Sequence, residues 1–227
     1  MVKQTKEGHP MLTLWHCENA RSFRPLWALE ELGLDYELKM LPFPPRFTKP
    51  EYMEENPLGT IPLLVDGATR MTESAAIPHY LAMVHGEGRL TLAPDHPDYG
   101  AYLNWLHHGE ATLTFPQTLV LRYAIFEPEE RRQPTVAADY KRWFLVRLKL
   151  LEETLSDGRE FLVGGQFTMA DIAVHYALFL AIRIGMRDEL PPNCLRFHDA
   201  LLERPGFKAA QARQSAEGQA QGTGKVL

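Results

Sequence analysis

Cysteine is nearly absent: the 227 residues hold only Cys17 and Cys194. Two are too few for a secreted disulfide framework, and neither sits at a Cys/His metal spacing, so both read as reduced thiols and no metal is expected. Excess positive charge is absent as well. Against 24 Lys plus Arg stand 29 Asp plus Glu, a formal net charge of −5, which lacks the field that phosphate backbones require and argues against a nucleic-acid partner. No stretch approaches the ~18 consecutive apolar residues of a membrane span, and Met1–Pro10 has no apolar signal-peptide core. No membrane partner and a cytoplasmic location are therefore expected. What remains is 45% hydrophobic and 23% charged, the composition of an ordinary folded protein with one large or two small domains.

The short β-prone run Met11–His16 predicts a buried strand, and a polar loop, Cys17–Arg21, follows it. Ser22 is placed to cap the next helix, Leu26, Leu29 and Leu32 recur at helical spacing, and Gly33 supplies the stop. Tyr36–Leu41 alternates polar and apolar residues as a second strand, so a βαβ unit opens the chain. Four prolines between Pro42 and Pro50 predict a long exposed loop. A short helix over 51–55, the turn Asn56-Pro57-Leu58-Gly59, a strand over 61–65 and a returning strand over 69–72 come next, the pair forming an antiparallel hairpin around Asp66-Gly67. A helix over 74–85 ends at Gly86, and the Gly- and Pro-rich stretch 86–97 reads as the domain boundary.

Everything beyond reads as helix, over 98–126, 136–155, 169–184 and 195–203, with a short helix after Pro205 and a mobile Gly/Gln-rich tail over 215–227. Residues 1–10 read as a flexible tail too. Thr168 and Asp171 form a capping box, with Phe167 and Ile172 as its hydrophobic staple, at the head of a helix apolar nearly all round and so central to a bundle.

A βαβ-ββα domain, an Ile61-Pro62 step, the run Glu73-Ser74-Ala75-Ala76-Ile77 and a helical second half carrying Thr168…Asp171 stand in one order. In that conjunction the chain resembles the glutathione S-transferase superfamily over roughly residues 11–213. The opening Asn19-Ala20-Arg21-Ser22-Phe23-Arg24, with Leu26–Gly33 after it, is similar to bacterial and fungal members with an N/S-x-R-S opening. Trp105–Leu113 is similar to the W-x-H-Y-A-E-G-S stretch of that branch and departs from it at Gly109, Ala111 and Thr112. The resemblance implies an α/β, thioredoxin-like N-terminal domain at 11–86 with a mixed four-stranded sheet. It also implies an all-α domain at 97–213 that forms the hydrophobic substrate site, glutathione as co-substrate, and a homodimer. The reaction would add the glutathione thiolate to a small hydrophobic electrophile. The same fold leaves open a noncatalytic binder of glutathione or hydrophobic ligands, or a glutathione-dependent isomerase, dehalogenase or thiol reductase.

For the ligand site, the resemblance implies a cis peptide before Pro62, turning the Ile61 main chain toward the cysteinyl part of glutathione beside Thr60. Ser74, at a helix start where amide groups and dipole attract anions, would take the γ-glutamyl carboxylate, and Glu73 would meet the ammonium. Ser74 as a simple helix cap is compatible with that role. Arg46 and Lys49 are available for the glycyl carboxylate, or stand as solvated surface charges. The Tyr, Ser or Cys that activates the thiol in relatives is replaced here: the matching position falls on Asn19, whose amide can donate to a thiolate. Lowering a thiol pKa by two units requires about 2.7 kcal/mol, within reach of one charge-assisted hydrogen bond and the helix dipole. Ser22 and Arg21 are competing donors. Cys17 reads as an unreactive thiol beside Glu18. Trp15 and His16 are expected to line the substrate pocket with His108, Thr112 and Phe115, which share a face at α-helical spacing.

Overall fold

Buried and half-buried residues alternate along Leu12–His16, which forms strand β1 in a computed structural model that describes residues 11–223. Helix α1, Phe23–Leu32, buries eight of its ten residues, and Gly33 closes it at φ 66°, a left-handed conformation that glycine adopts without a Cβ clash. The chain returns as β2, Tyr36–Met40, which pairs parallel to β1 with Leu14 opposite Leu38. Strand β3, Leu63–Asp66, pairs antiparallel to β1, and β4, Thr69–Met71, pairs antiparallel to β3. The mixed four-stranded sheet has the order β2-β1-β3-β4, the expected βαβ-ββα arrangement, and helix α3, Ala76–Val84, completes it.

The proline-rich segment differs from its expectation. Where a loop was expected, Pro45–Thr48 is a helical turn, α2, while the short helix expected over 51–55 is present as a 3₁₀ turn over Pro50–Glu54. Proline opens both turns, at first-turn positions where the missing amide would have had no intrahelical partner. Two X-Pro bonds are cis, Ile61–Pro62 as implied by the resemblance and Phe43–Pro44, which the sequence did not announce.

Two units divide the chain: one holds the residues up to Arg89 and those from Glu203 onward, the other Leu90–Leu202. The last helix, α9 (Pro205–Ala220), thus belongs with the sheet rather than with the helical domain drawn over 97–213. Phe207 on α9 packs edge-on against the rings of Phe23 and Trp27, with centroids 5.3 and 5.1 Å away. Arg204 donates two hydrogen bonds to Glu31, at 2.8 and 2.9 Å. Gln221 accepts from the Met40 amide and donates to the Leu38 carbonyl, covering backbone groups of the edge strand β2. The tail expected to be mobile from Ser215 is helix through Ala220 for these reasons. Residues 1–10 and 224–227 lie outside the described residues.

The second unit is helical: α4 (Tyr99–His107), α5 (Phe115–Leu121), α6 (Pro134–Thr154), α7 (Met169–Arg183) and α8 (Pro192–Leu202). Every residue of α7 from Met169 to Ala181 is buried. Its capping box is present: the buried Asp171 carboxylate accepts from the Thr168 amide and hydroxyl at 2.7 and 2.9 Å and from the Leu162 amide at 2.9 Å. Burial pushes Asp171 up to about 6 against these hydrogen bonds. The expected single helix over 98–126 is interrupted by π-helical turns at His108–Thr114 and Arg122–Phe126. Gly109 sits in the first of them, where a Cβ would lie 2.5 Å from the Ala173 carbonyl carbon of α7, so only glycine permits this approach.

Candidate functional site

Ser74 stands just before α3, 4% exposed, and its hydroxyl accepts from the guanidinium of fully buried Arg24 at 2.9 Å. The N-cap position of α3 is Ala75, and the Ser74 hydroxyl one residue earlier is oriented from α1 by Arg24. Glu73 beside it is exposed, and its carbonyl accepts from the Ala76 and Ile77 amides. The Arg24 role was missed at sequence level. A basic residue on the buried face of a helix was the signal that could have found it, because such a charge requires a partner.

Two side chains hold the approach to the cis step. Tyr52 donates from its hydroxyl, and Asn56 from Nδ2, to the Thr60 carbonyl, each at 2.8 Å. Both are buried while Thr60 is exposed, so the segment entering Ile61–Pro62 is pinned through its backbone. Arg46 is exposed, with its guanidinium 4.6 Å over the Phe47 ring and its Cβ against Gly59. Lys49 pairs with Glu51 at 3.7 Å and lines a cleft of about 200 Å³ with Trp15, Tyr52, Glu54 and Glu55.

Asn19 is 4% exposed and adopts φ 60°, a left-handed conformation that asparagine tolerates better than most residues. Its amide N–H donates to Gln214 Oε1 at 3.0 Å, and its Oδ1 accepts from Gln214 Nε2 at 2.8 Å. The Ser22 hydroxyl turns back instead of capping α1: it accepts from the Cys17 amide at 3.2 Å and donates to the Cys17 carbonyl at 3.4 Å. Arg21 is half-buried in the same loop. Cys17 is fully buried among Ala20, Leu41, Tyr52 and Leu63, and burial pushes its thiol up to about 12, the inert state expected of it.

Trp15 and His16 do not share a wall. Successive strand residues point to opposite faces of a sheet, so Trp15 packs on Tyr52, rings 5.2 Å apart, while His16 points the other way and is fully buried. Burial lowers His16 to about 4, partly opposed by its hydrogen bond to Gln214, and the neutral ring donates from Nε2 to Gln214 Oε1 at 3.0 Å. In the second unit His108 is half-buried with its ring edge on Trp105, 5.0 Å between centroids. Burial and the Arg147 charge lower its pKa. Thr112 is half-buried and Phe115 is 52% exposed. The α-helical spacing used to put these three on one face is altered by the π turn, whose rotation per residue is smaller.

The chain is similar to known proteins over most of its length. The family model described as glutathione S-transferase, N-terminal domain, matches residues 10–83, and the model for the C-terminal domain of the same family matches 148–200. Glutathione S-transferase A of Pleuronectes platessa is 30% identical over 203 residues, spanning 88% of this chain and 90% of that protein. The chain belongs to the glutathione S-transferase family. Glutathione S-transferase 3 of Schizosaccharomyces pombe is 28% identical, spanning 88% of this glutathione S-transferase and 86% of its relative. The crystal structure of the glutathione transferase URE2P6 from Phanerochaete chrysosporium, in complex with oxidized glutathione, superposes with a TM-score of 0.79 at 28% identity. It covers 93% of this chain and 99% of that one.

Proposed function

We propose that this glutathione transferase seats the γ-glutamyl carboxylate of glutathione on the Ser74 hydroxyl and backbone N–H at the head of α3, with Glu73 at the ammonium. The cysteinyl main chain pairs with Ile61 beside cis Pro62. The observation that carries this reading is Ser74: its hydroxyl is oriented by buried Arg24 at 2.9 Å at the head of a nine-residue helix, where an anion meets the positive dipole end. Thr60 sets the height of the Ile61 step through its pinned carbonyl. Arg46 and Lys49, both exposed, are the cations from which the glycyl carboxylate draws its counter-charge.

The thiol is activated without a Tyr, Ser or Cys. Asn19 donates from its side-chain amide to the thiolate, and the N-terminus of α1 adds favourable potential. Arg21 is the second donor of this loop, whereas the Ser22 hydroxyl is occupied by Cys17. The thiolate then adds to a small hydrophobic electrophile, a step that depends on thiolate concentration and proximity. His108, Thr112 and Phe115 are the side chains of the helical unit assigned to that electrophile, with His108 neutral near pH 7 because burial and Arg147 disfavour its cation. Turnover of a generic aryl halide, together with calorimetric titration of glutathione into the parent and Ser74→Ala, tests this reading. Turnover by the parent and weakened binding in the variant are expected; unchanged affinity overturns the Ser74 assignment.

Assembly is proposed as a homodimer. Trp143, Val146 and Leu150 stand exposed at i, i+3 and i+7 along α6, with Tyr140 stacked on Trp143 at 5.4 Å. Such a stripe supports burial against a second copy, and two-fold dimers are the commonest oligomers. Two buried free cysteines suit a reducing compartment and support a cytoplasmic location.

A further inference from the structure

Arg24 stands in the first turn of α1 with its side chain fully buried. An apolar residue would fill that face of the helix without the cost of desolvating a charge, so packing alone does not account for an arginine there. Its Nη1 donates to Ser74 Oγ at 2.9 Å, across 50 residues of chain. Chemistry fixes the direction of that bond. A guanidinium carries N–H donors and no acceptor, so Ser74 Oγ can only accept, and the serine proton turns away from Arg24. Among the described residues no side chain or carbonyl accepts that proton, although Ser74 is 4% exposed.

The backbone beside it is arranged in the same sense. The Glu73 carbonyl accepts from the Ala76 and Ile77 amides at 3.1 and 3.0 Å, which closes the first turn of α3. The amides of Ser74 and Ala75, ahead of those two, donate to no backbone carbonyl among the described residues. A hydroxyl proton and two amides are thus donors awaiting an acceptor at one buried turn, and a carboxylate, which only accepts, is the complement of such a set.

We propose that Arg24 is the positioning residue that makes this turn select an anion: by donating to Ser74 Oγ it commits the serine to donating in its turn. This inference rests on the assignment of Ser74 as the seat of the γ-glutamyl carboxylate and names what sets the preference of that seat for a charged ligand. A serine hydroxyl free to rotate can turn either its lone pairs or its proton to a ligand. One held through its oxygen by a guanidinium has the proton to offer, which rewards a carboxylate and gives nothing to an apolar chain in the same place.

The test uses the full chain and compares glutathione with 4-aminobutyryl-cysteinyl-glycine, which lacks only the γ-glutamyl α-carboxylate. Calorimetric titration at a pH where the thiol is protonated gives the ratio of their dissociation constants, and the parent should favour glutathione. Arg24→Met is expected to weaken glutathione about tenfold and the analogue less than about twofold, so that the ratio shrinks. Arg24→Lys, again a donor without an acceptor, should recover part of the ratio. In a Ser74→Ala background Arg24→Met should change the ratio no further, because it acts through the Ser74 hydroxyl. If Arg24→Met does not fold, Arg24→Gln, whose amide can turn its oxygen to Ser74 and take the proton, replaces it in the same cycle. Equal weakening of both ligands at an unchanged ratio, tracking a lower melting temperature, marks Arg24 as purely structural and overturns the inference. A parent-like ratio in the Arg24 variant while Ser74→Ala loses it also overturns the inference and leaves the Ser74 seat standing. If Ser74→Ala keeps the full ratio as well, the seat and this inference fall together.

Discussion

The arm from Thr60 to Ser74 and the loop from Cys17 to Ser22 are held in opposite ways. The arm is fixed from within the first unit's opening segment: Tyr52 and Asn56 reach Thr60 from eight and four residues away, and Arg24 reaches Ser74 from 50. The loop hangs on Gln214, 195 residues from Asn19. Side chains of the opening βαβ-ββα segment thus shape the arm proposed to hold the ligand, while a side chain near the far end of the chain shapes the loop proposed to ionise it. Binding and activation should consequently respond to different substitutions.

The sharpest way to break that contrast is to loosen α9. Phe207→Ala removes a ring packed between Phe23 and Trp27 and is expected to cost about 3–5 kcal/mol in denaturant unfolding. In whatever remains folded, the bound thiol should titrate higher while glutathione affinity at low pH changes little. Next in size is Asp171→Ala in the helical unit, which leaves the buried Leu162 and Thr168 amides without their acceptor. At ~1–3 kcal/mol per orphaned donor, a loss of about 3 kcal/mol is expected, with glutathione affinity retained. Selective loss of binding at full stability would show that the box serves the ligand instead.

Ser74→Ala addresses the arm alone. Glutathione should bind more weakly by about 1–3 kcal/mol in calorimetry, with the thiol titration unmoved. Acid reaches both units at once, because His16 and His198 are each lowered from 6.5 to about 4 by burial. The folded state takes up their protons later than the unfolded chain does, so stability should fall as pH drops from about 6.5 toward 4. Each group contributes up to about 1.4 kcal/mol per pH unit, and His198, stacked on His175 at 4.7 Å, loads the helical unit. Equilibrium unfolding at a series of pH values checks the sign. Cys17→Ala carries the smallest expectation: no change in thiol titration or turnover.

The same contrast explains what could be read from the chain alone. The βαβ unit, Gly33, the hairpin around Asp66-Gly67 and the Thr168–Asp171 box follow from spacings of a few residues, and the sequence displays them, whereas the cis Pro62 step came through the family resemblance. The contribution of α9 was hidden, since PGFKAAQARQSAEGQA shows little apolar periodicity and its grip depends on single side chains, Phe207, Gln214 and Gln221, meeting partners far away in the chain. The helical turn opened by Pro45 was lost because proline was read as a breaker rather than as a first-turn residue. Trp15 and His16 were grouped as neighbours although the strand period sends them to opposite faces. The π turn at His108–Thr114 depends on Gly109 meeting Ala173, a contact that α-helical spacing does not encode.

The most direct measurement of the central claim, that the Asn19 loop ionises bound glutathione, is the thiolate absorbance titration of glutathione-saturated parent beside Asn19→Ala. The parent thiol should ionise well below the ~8.5 of a free cysteine thiol and the variant closer to it. Coincident curves at the free value would contradict the claim, because the thiol would then be bound without being activated.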